Sequence, residues 1–268
     1  MLGLILLVAS DSLPWSWTHS LVGALSVNQA YYENWQEGGA NTIAFTGKLE
    51  HTAHLQRGPH RLEHSLLLAY GQVKQDTLAY RKSEDQIRWL FQWQYAADGP
   101  LRPTFSLELR TQFAPGYEYK KTPPQLTSRF LAPAFFTQAL GLSYRPAEQY
   151  NVRLSLALRQ TIVRDPLLGT RYGLRPGERI RWQPGMELVG SVDRQKLLEN
   201  VYYRSRLGVF SPYERFPRPT IRWENEVLMR INRLLNATLN AVVYYDRDVS
   251  PRVQLKEVLG LGISYSFW

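Results

Sequence analysis

Long stretches of strict alternation constrain this chain more than any other feature. In residues 86–95, QIRWLFQWQY, the large apolar residues Ile87, Trp89, Phe91, Trp93 and Tyr95 share one face, with Gln86, Arg88, Gln92 and Gln94 on the other. A period of two marks a β-strand with one apolar and one wet side. Five large apolar side chains on one face need deep cover, from a second sheet or from lipid. TIAFTGKLEHTAHL (42–55) repeats the pattern with Ile43, Phe45, Gly47, Leu49, Ala53 and Leu55 on one face. The chain closes on it too, in LGLGISYSFW (259–268), where Leu259, Leu261, Ile263, Tyr265 and Phe267 alternate with glycine and serine before Trp268.

Helical periodicity is not persuasive anywhere. Twelve candidate strands fall near 18–32, 42–55, 61–73, 85–96, 103–114, 129–144, 150–163, 185–193, 199–210, 220–231, 235–246 and 253–267. Their connectors alternate in length. Long polar or Pro-rich pieces such as ENWQEGGAN, KQDTLAYRKSE and RDPLLGTRYGLRPGERIRWQP follow the odd strands, and tight joins such as QRGPH and NRLL follow the even ones. Short turns at one end and long loops at the other are the pattern of a membrane barrel, and a β-sandwich has no reason to sort its loops by parity. Several runs of 12 to 16 residues also exceed the roughly 5–6 of a globular strand. A mean hydropathy of −0.34 and the lack of a long apolar helix leave a barrel open, because alternating strands average to moderate values. The expected fold is all-β: a transmembrane up-and-down antiparallel barrel of twelve strands, as one domain over residues 11–268. A soluble sandwich, propeller or lipocalin-like barrel is the alternative. Leu2–Ala9 has the length of a secretory apolar region and Val8-Ala9-Ser10 a small-residue cleavage site, so residues 1–10 are read as a signal peptide or its remnant, although the basic start is missing.

With the apolar face in lipid, the other face lines a lumen. Strand parity places Lys48, Glu50, Arg88, Glu108, Arg110, Arg153, Arg159, Arg204, Arg206, Arg222, Glu224, Glu226, Arg230 and Lys256 there, with bases outnumbering acids. Such a lumen, if open, favours anions; equally, Arg and Glu pairing across it would make a closed plug. Trp89, Phe91, Trp93, Tyr95, Trp223, Tyr265, Phe267 and Trp268 are the lipid-facing and girdle candidates. The formal charge of +9 implies anionic partners. The bases are dispersed over strands and loops, which points to lipid phosphate, including lipopolysaccharide, rather than nucleic acid.

Catalytic and metal constellations are not apparent. Cysteine is absent. His51 and His54 point to opposite faces of one strand, as do His64 and Ser65, and His60 and His64 lie roughly 13 Å apart along theirs. Glu224 and Glu226 share a face about 7 Å apart, which permits an acid–base pair. Arg222 and Arg230 on the same strand favour an ion-pair network instead. No catalytic residues, metal or cofactor are therefore expected.

Several segments together carry a resemblance: SVNQAYYENWQEGGANTIAFTG, YRKSED, TQFAPGYEY, SRFLAPAFFTQALGLSYRP, TIVRD, VFSPY, RINRLLNATLNAVVYYDRD and LKEVLGLGISYSFW. In that order the chain, over residues 26–268, resembles a family of outer-membrane β-barrel proteins of Bacteroidetes-type bacteria catalogued as a domain of unknown function. It departs from the family pattern in its atypical start and at Leu156, where proline is expected. The resemblance implies a bacterial outer-membrane location and a barrel fold, and no catalytic residues. Two roles follow as expectations: a porin-like small-solute channel with a basic lumen, or a structural barrel that holds lipoproteins or another barrel. A lipid-modifying enzyme ranks behind both. The terminal aromatic strand is also expected to engage the barrel-assembly machinery.

Overall fold

The computed structural model describes residues 16–31, 40–96 and 99–267. Residues 1–10, most of ENWQEGGAN and Trp268 lie outside the described residues. Twelve antiparallel strands close into a barrel: β1 (Ser16–Ala30), β2 (Thr42–Arg57), β3 (His60–Gln75), β4 (Arg81–Tyr95), β5 (Leu101–Thr111), β8 (Ala134–Ala147), β9 (Tyr150–Ile162), β10 (Ile180–Leu198), β11 (Val201–Pro212), β12 (Thr220–Arg230), β13 (Leu235–Tyr245) and β14 (Gln254–Ser266). A loop hairpin, β6 (Gly116–Glu118) with β7 (Gln125–Ser128), sits between β5 and β8. Each strand pairs with its neighbours in sequence and β1 returns to β14, the up-and-down connectivity that leaves no free edge.

Register carries the alternation around the wall. Leu261 pairs with Val27 and Val27 with Phe45, while Trp89 pairs with Leu66 and Leu109, so apolar side chains meet apolar side chains on the outside. That outer face is exposed: Leu140, Leu156 and Leu259 show 62, 63 and 62% of their surface. Moving such a side chain out of water is worth about 1.5–3 kcal/mol, and a continuous belt of them is stable only against lipid. The protein is thus a transmembrane barrel. At the short-turn end the belt is edged by Trp17, Trp93, Tyr95, Tyr144, Tyr150, Tyr203, Tyr265 and Phe267, an interfacial aromatic ring. Tyr80, Trp182 and Tyr245 stand toward the other end.

Three boundaries differ from the sequence expectation. β3 and β4 continue to Gln75 and back from Arg81, so that connector shrinks to Asp76–Tyr80. A bulge at Gly71/Gln72 lets Lys82 pair with Asp85 at 2.8 Å, and Asp85 accepts from the Phe113 and Ala114 amides, which carries polar strand above the lipid. β10 runs from Ile180 to Leu198, with bulges near its end. Residues 129–133 belong to a bend before β8 rather than to the strand itself.

The β1–β14 seam is short. Its ladder covers Val22–Val27 against Leu261–Ser266, whereas β1 and β2 pair from Ser16 to Ala30. Beyond the ladder, the Phe267 amide donates to the Leu21 carbonyl at 2.9 Å. The Phe267 ring lies so close to Gly23 that an added Cβ would stand 3.3 Å from it. Phe267 thus clasps the first strand.

Candidate functional site

The interior is the site, and Arg and Glu side chains cross it. Glu108 on β5 accepts from Arg88 Nε of β4 at 2.9 Å, from Arg206 Nη2 of β11 at 2.9 Å, and from Arg110 of its own strand. Glu224 on β12 accepts from Arg222 Nε at 2.6 Å and lies 3.5 Å from Arg88 and 3.7 Å from Arg110. Lys48 reaches Glu226 at 2.6 Å, Arg204 reaches Glu50 at 2.8 Å, and Lys256 reaches Glu84 at 2.5 Å. Arg153, 2% exposed, bonds Glu187 at 2.6 Å and Gln92 at 3.2 Å. Several of these ties, Arg206–Glu108, Arg88–Glu224, Lys48–Glu226, Arg204–Glu50, Lys256–Glu84 and Arg153–Gln92, join strands that are not neighbours in the wall. In the strand order of the barrel, β4 and β12 stand on opposite sides, with five strands between them either way.

This has a geometric consequence. Twelve strands about 4.8 Å apart and tilted by about 40° would form a round barrel about 24 Å across. Arg and Glu side chains reach about 7 Å and about 5 Å from Cα on standard bond lengths. With the 3.5 Å gap between Arg88 and Glu224, the two backbones lie no more than about 16 Å apart. The wall is therefore drawn in between β4 and β12. At right angles to that pinch lie β1 and β9, the tighter bends. Small interior residues gather there: Ala24 and Ser26 on β1, Gly260 and Gly262 on β14, Gly141 on β8, and Ser155 and Ala157 on β9. A Cβ on Gly141 would lie 2.0 Å from the Leu154 carbonyl oxygen, and one on Gly262 would lie 2.3 Å from that of Leu25. Neither position has room for another residue.

Charge within the pinch is unbalanced. Four guanidinium groups, Arg88, Arg110, Arg206 and Arg222, surround two carboxylates, Glu108 and Glu224. Toward the long loops, Arg159 stacks on Phe210 at 3.9 Å and donates to Thr220 at 3.1 Å. Arg181 and Arg215 each reach Asp248 at 2.6 Å. At the short-turn end, Arg61 and Arg145 meet Glu148 at 3.0 and 3.6 Å. Burial pushes the Glu148 carboxyl up, but the Arg61 hydrogen bond and the charges of Arg61 and Arg145 outweigh it and hold the group below its usual range. Cationic groups thus run the length of the interior.

Loops fix the long-loop mouth. Ala132, Val163, Leu168 and Leu174 bury against one another, with Leu126 and Tyr172 beside them, to make a small core outside the barrel. A 3₁₀ turn, Pro166–Tyr172, is capped by Asp165, which accepts from the Leu167 amide at 3.1 Å and pairs with Arg129 at 2.9 Å. Tyr172 donates to the Thr127 carbonyl at 2.7 Å, and burial pushes its hydroxyl pKa up. Gly173, at φ 76°, follows the turn and accepts from Arg181 at 3.2 Å. The loops are thereby tied to the basic rim.

Of the sequence candidates, Lys48, Glu50, Arg88, Glu108, Arg110, Arg153, Arg204, Arg206, Arg222, Glu224, Glu226 and Lys256 stand in these interior ion pairs. Arg159 faces inward without a carboxylate partner within salt-bridge distance among the described residues. Arg230 sits at the short-turn rim over the Tyr202 ring at 5.0 Å, apart from that network. Trp89, Phe91, Trp93, Tyr95, Trp223, Tyr265 and Phe267 all point outward. Parity also marks Glu84 and Glu187 as interior, and they were missed; Asp246, Asp248, Arg215 and Arg247 lie in loops with no periodicity to reveal them. Glu224 and Glu226 are both engaged by cations. Register across strands brings His51 and His64 together on the outer wall, ring centroids 5.4 Å apart. Among the described residues no three His, Asp or Glu gather to hold a metal.

A family described as "Protein of unknown function (DUF3078)" matches residues 27–117, about a third of the chain. None of the curated proteins matches in sequence. Among solved structures, the COG4313 outer membrane channel from Pseudomonas putida F1 is similar at 12% identity, with 97% of each chain covered and a TM-score of 0.42. The translocator domain of autotransporter NalP from Neisseria meningitidis is similar at 10% identity, over 96% of this chain and 90% of that one, at 0.38. The outer membrane channel DcaP of Acinetobacter baumannii is similar at 9%, over 94 and 97%, at 0.33.

Proposed function

We propose that this protein is a bacterial outer-membrane barrel whose interior is a narrow route for small anions, held closed in this conformation by ties between opposite walls. One observation carries the reading: the excess of guanidinium groups Arg88, Arg110, Arg206 and Arg222 over Glu108 and Glu224 at the pinch. A cation meets a positive potential there, whereas an anion finds donors already oriented toward it. The lipid partners are acyl chains along the belt and anionic headgroups, lipopolysaccharide among them, at the rims. The barrel-assembly machinery reads the closing strand. The Bacteroidetes-type resemblance over residues 26–268 belongs to the same proposal.

In planar bilayers at low salt, the purified protein is expected to conduct chloride in preference to potassium, and R88Q/R110Q to lower that preference. Potassium selectivity in the unaltered protein would defeat the proposal. The crossing of the interior by Arg88–Glu224 favours a second reading, a sealed structural barrel that holds lipoproteins or another barrel. Conductance that stays absent in every variant, with reproducible co-purification in mild detergent, would select it.

A further inference from the structure

The long-loop mouth holds a recess of about 20 Å³ lined by Arg159, Arg181, Arg215, Arg218 and Arg247 together with Asp246 and Asp248. The five guanidinium groups exceed the two carboxylates by three charges. Asp248 is already taken by Arg181 and Arg215. Asp246 is buried and accepts from Tyr244 at 3.1 Å, Thr220 at 3.3 Å and the Asp248 amide at 2.9 Å. Among the described residues, Arg159, Arg218 and Arg247 have no carboxylate within salt-bridge distance. Arg159 forms the floor, fixed over Phe210, with a buried Nε that finds no acceptor. Arg218 and Arg247 stand exposed above it.

We propose that this recess captures the phosphoryl group of small phosphorylated solutes at the mouth of the barrel. The space holds about one water-sized atom, so one oxygen seats on Arg159 while the rest of the group remains in the vestibule. A phosphoryl group offers three oxygens to three guanidiniums, whereas a carboxylate offers two; Arg is the side chain suited to such forked contacts. The loop core fixes Arg181 through Gly173, so the recess is built before the ligand arrives. As a capture site it rests on the anion-route reading and gives that route a substrate class.

The test is calorimetric titration of the full-length protein in detergent with inorganic phosphate, then with acetate, at low ionic strength. Phosphate is expected to bind at least tenfold more tightly than acetate. R218Q/R247Q, confined to exposed loop positions, is expected to weaken phosphate at least tenfold, and R233Q in a turn at the opposite end to leave it unchanged. No phosphate binding, acetate binding equally well, or phosphate binding indifferent to R218Q/R247Q would each overturn the site. Chloride conductance in bilayers is scored separately. Phosphate binding with the expected variant pattern but no anion conductance sinks the route and keeps the site; conductance with variant-insensitive binding does the reverse.

Discussion

Glu108→Gln is the sharpest single perturbation of the pinch. The carboxylate takes hydrogen bonds from Arg88, Arg206 and Arg110, and it is 8% exposed. Glutamine keeps the shape, removes the charge and turns two donors toward three donors. Arg88 and Arg110 retain Glu224 at 3.5 and 3.7 Å, but Arg206 loses its only salt-bridge partner among the described residues. Breaking one side of a buried ion pair costs about 3–5 kcal/mol, and the lower end suits an interior that meets water at both mouths. About 3 kcal/mol corresponds to roughly a hundredfold change in the balance between tied and untied interiors. The assay pairs single-channel recording with thermal unfolding in detergent. E108Q is expected to open more often, to stay anion-selective because a negative charge has gone, and to melt roughly 6–12 °C lower. E257Q is the control, because Glu257 lies on the outer face of β14. Unchanged gating together with unchanged melting in E108Q would refute the idea that these ties close the barrel.

Two further outcomes are expected. Deleting Phe267 and Trp268 removes the clasp over Gly23 at the short β1–β14 seam and should reduce the amount of assembled barrel in the membrane while leaving the conductance of assembled molecules intact; normal membrane levels would contradict this. Gly173→Val places a Cβ 2.4 Å from Arg181 Nη1 at a φ of 76°, a strain of about 1–3 kcal/mol. Trypsin should then cut faster after Arg171 and Arg179 with barrel melting unchanged, and equal cleavage rates would show that the loop does not depend on that contact.

The wall was readable from the sequence because alternation is local. All twelve strands overlap the period-two runs that predict them, with ends that shift at β3, β4, β8 and β10, and parity sends Arg88, Glu108 and Glu224 inward and Trp89 and Trp93 outward. What period two cannot supply is who meets whom across 100 or more residues. Glu108 and Glu224 share one cluster only because closure sets β4, β5, β11 and β12 around the same space. The same applies to His51 and His64, which only the β2–β3 register makes diagonal neighbours. The mouth was opaque for another reason. Its order comes from a few buried loop residues, Val163, Leu168 and Leu174, whose spacing follows neither a strand nor a helix.

The interior ties also bear on the order in which the molecule comes together. Lys48 and Glu226 are 178 positions apart and Arg204 and Glu50 are 154 apart, whereas β2–β3 and β8–β9 are joined by two-residue turns. Contacts of such separation form only after loop closure has been met by nearer ones. Hairpins therefore zip first, the β1–β14 seam closes the ring, and the ion pairs assemble last, inside a wall that already exists. Interactions absent from the rate-limiting step govern how fast a structure is lost rather than how fast it is gained. The charged centre is accordingly a latch on the lifetime of the finished barrel, while the rate of its making is set by the apolar wall.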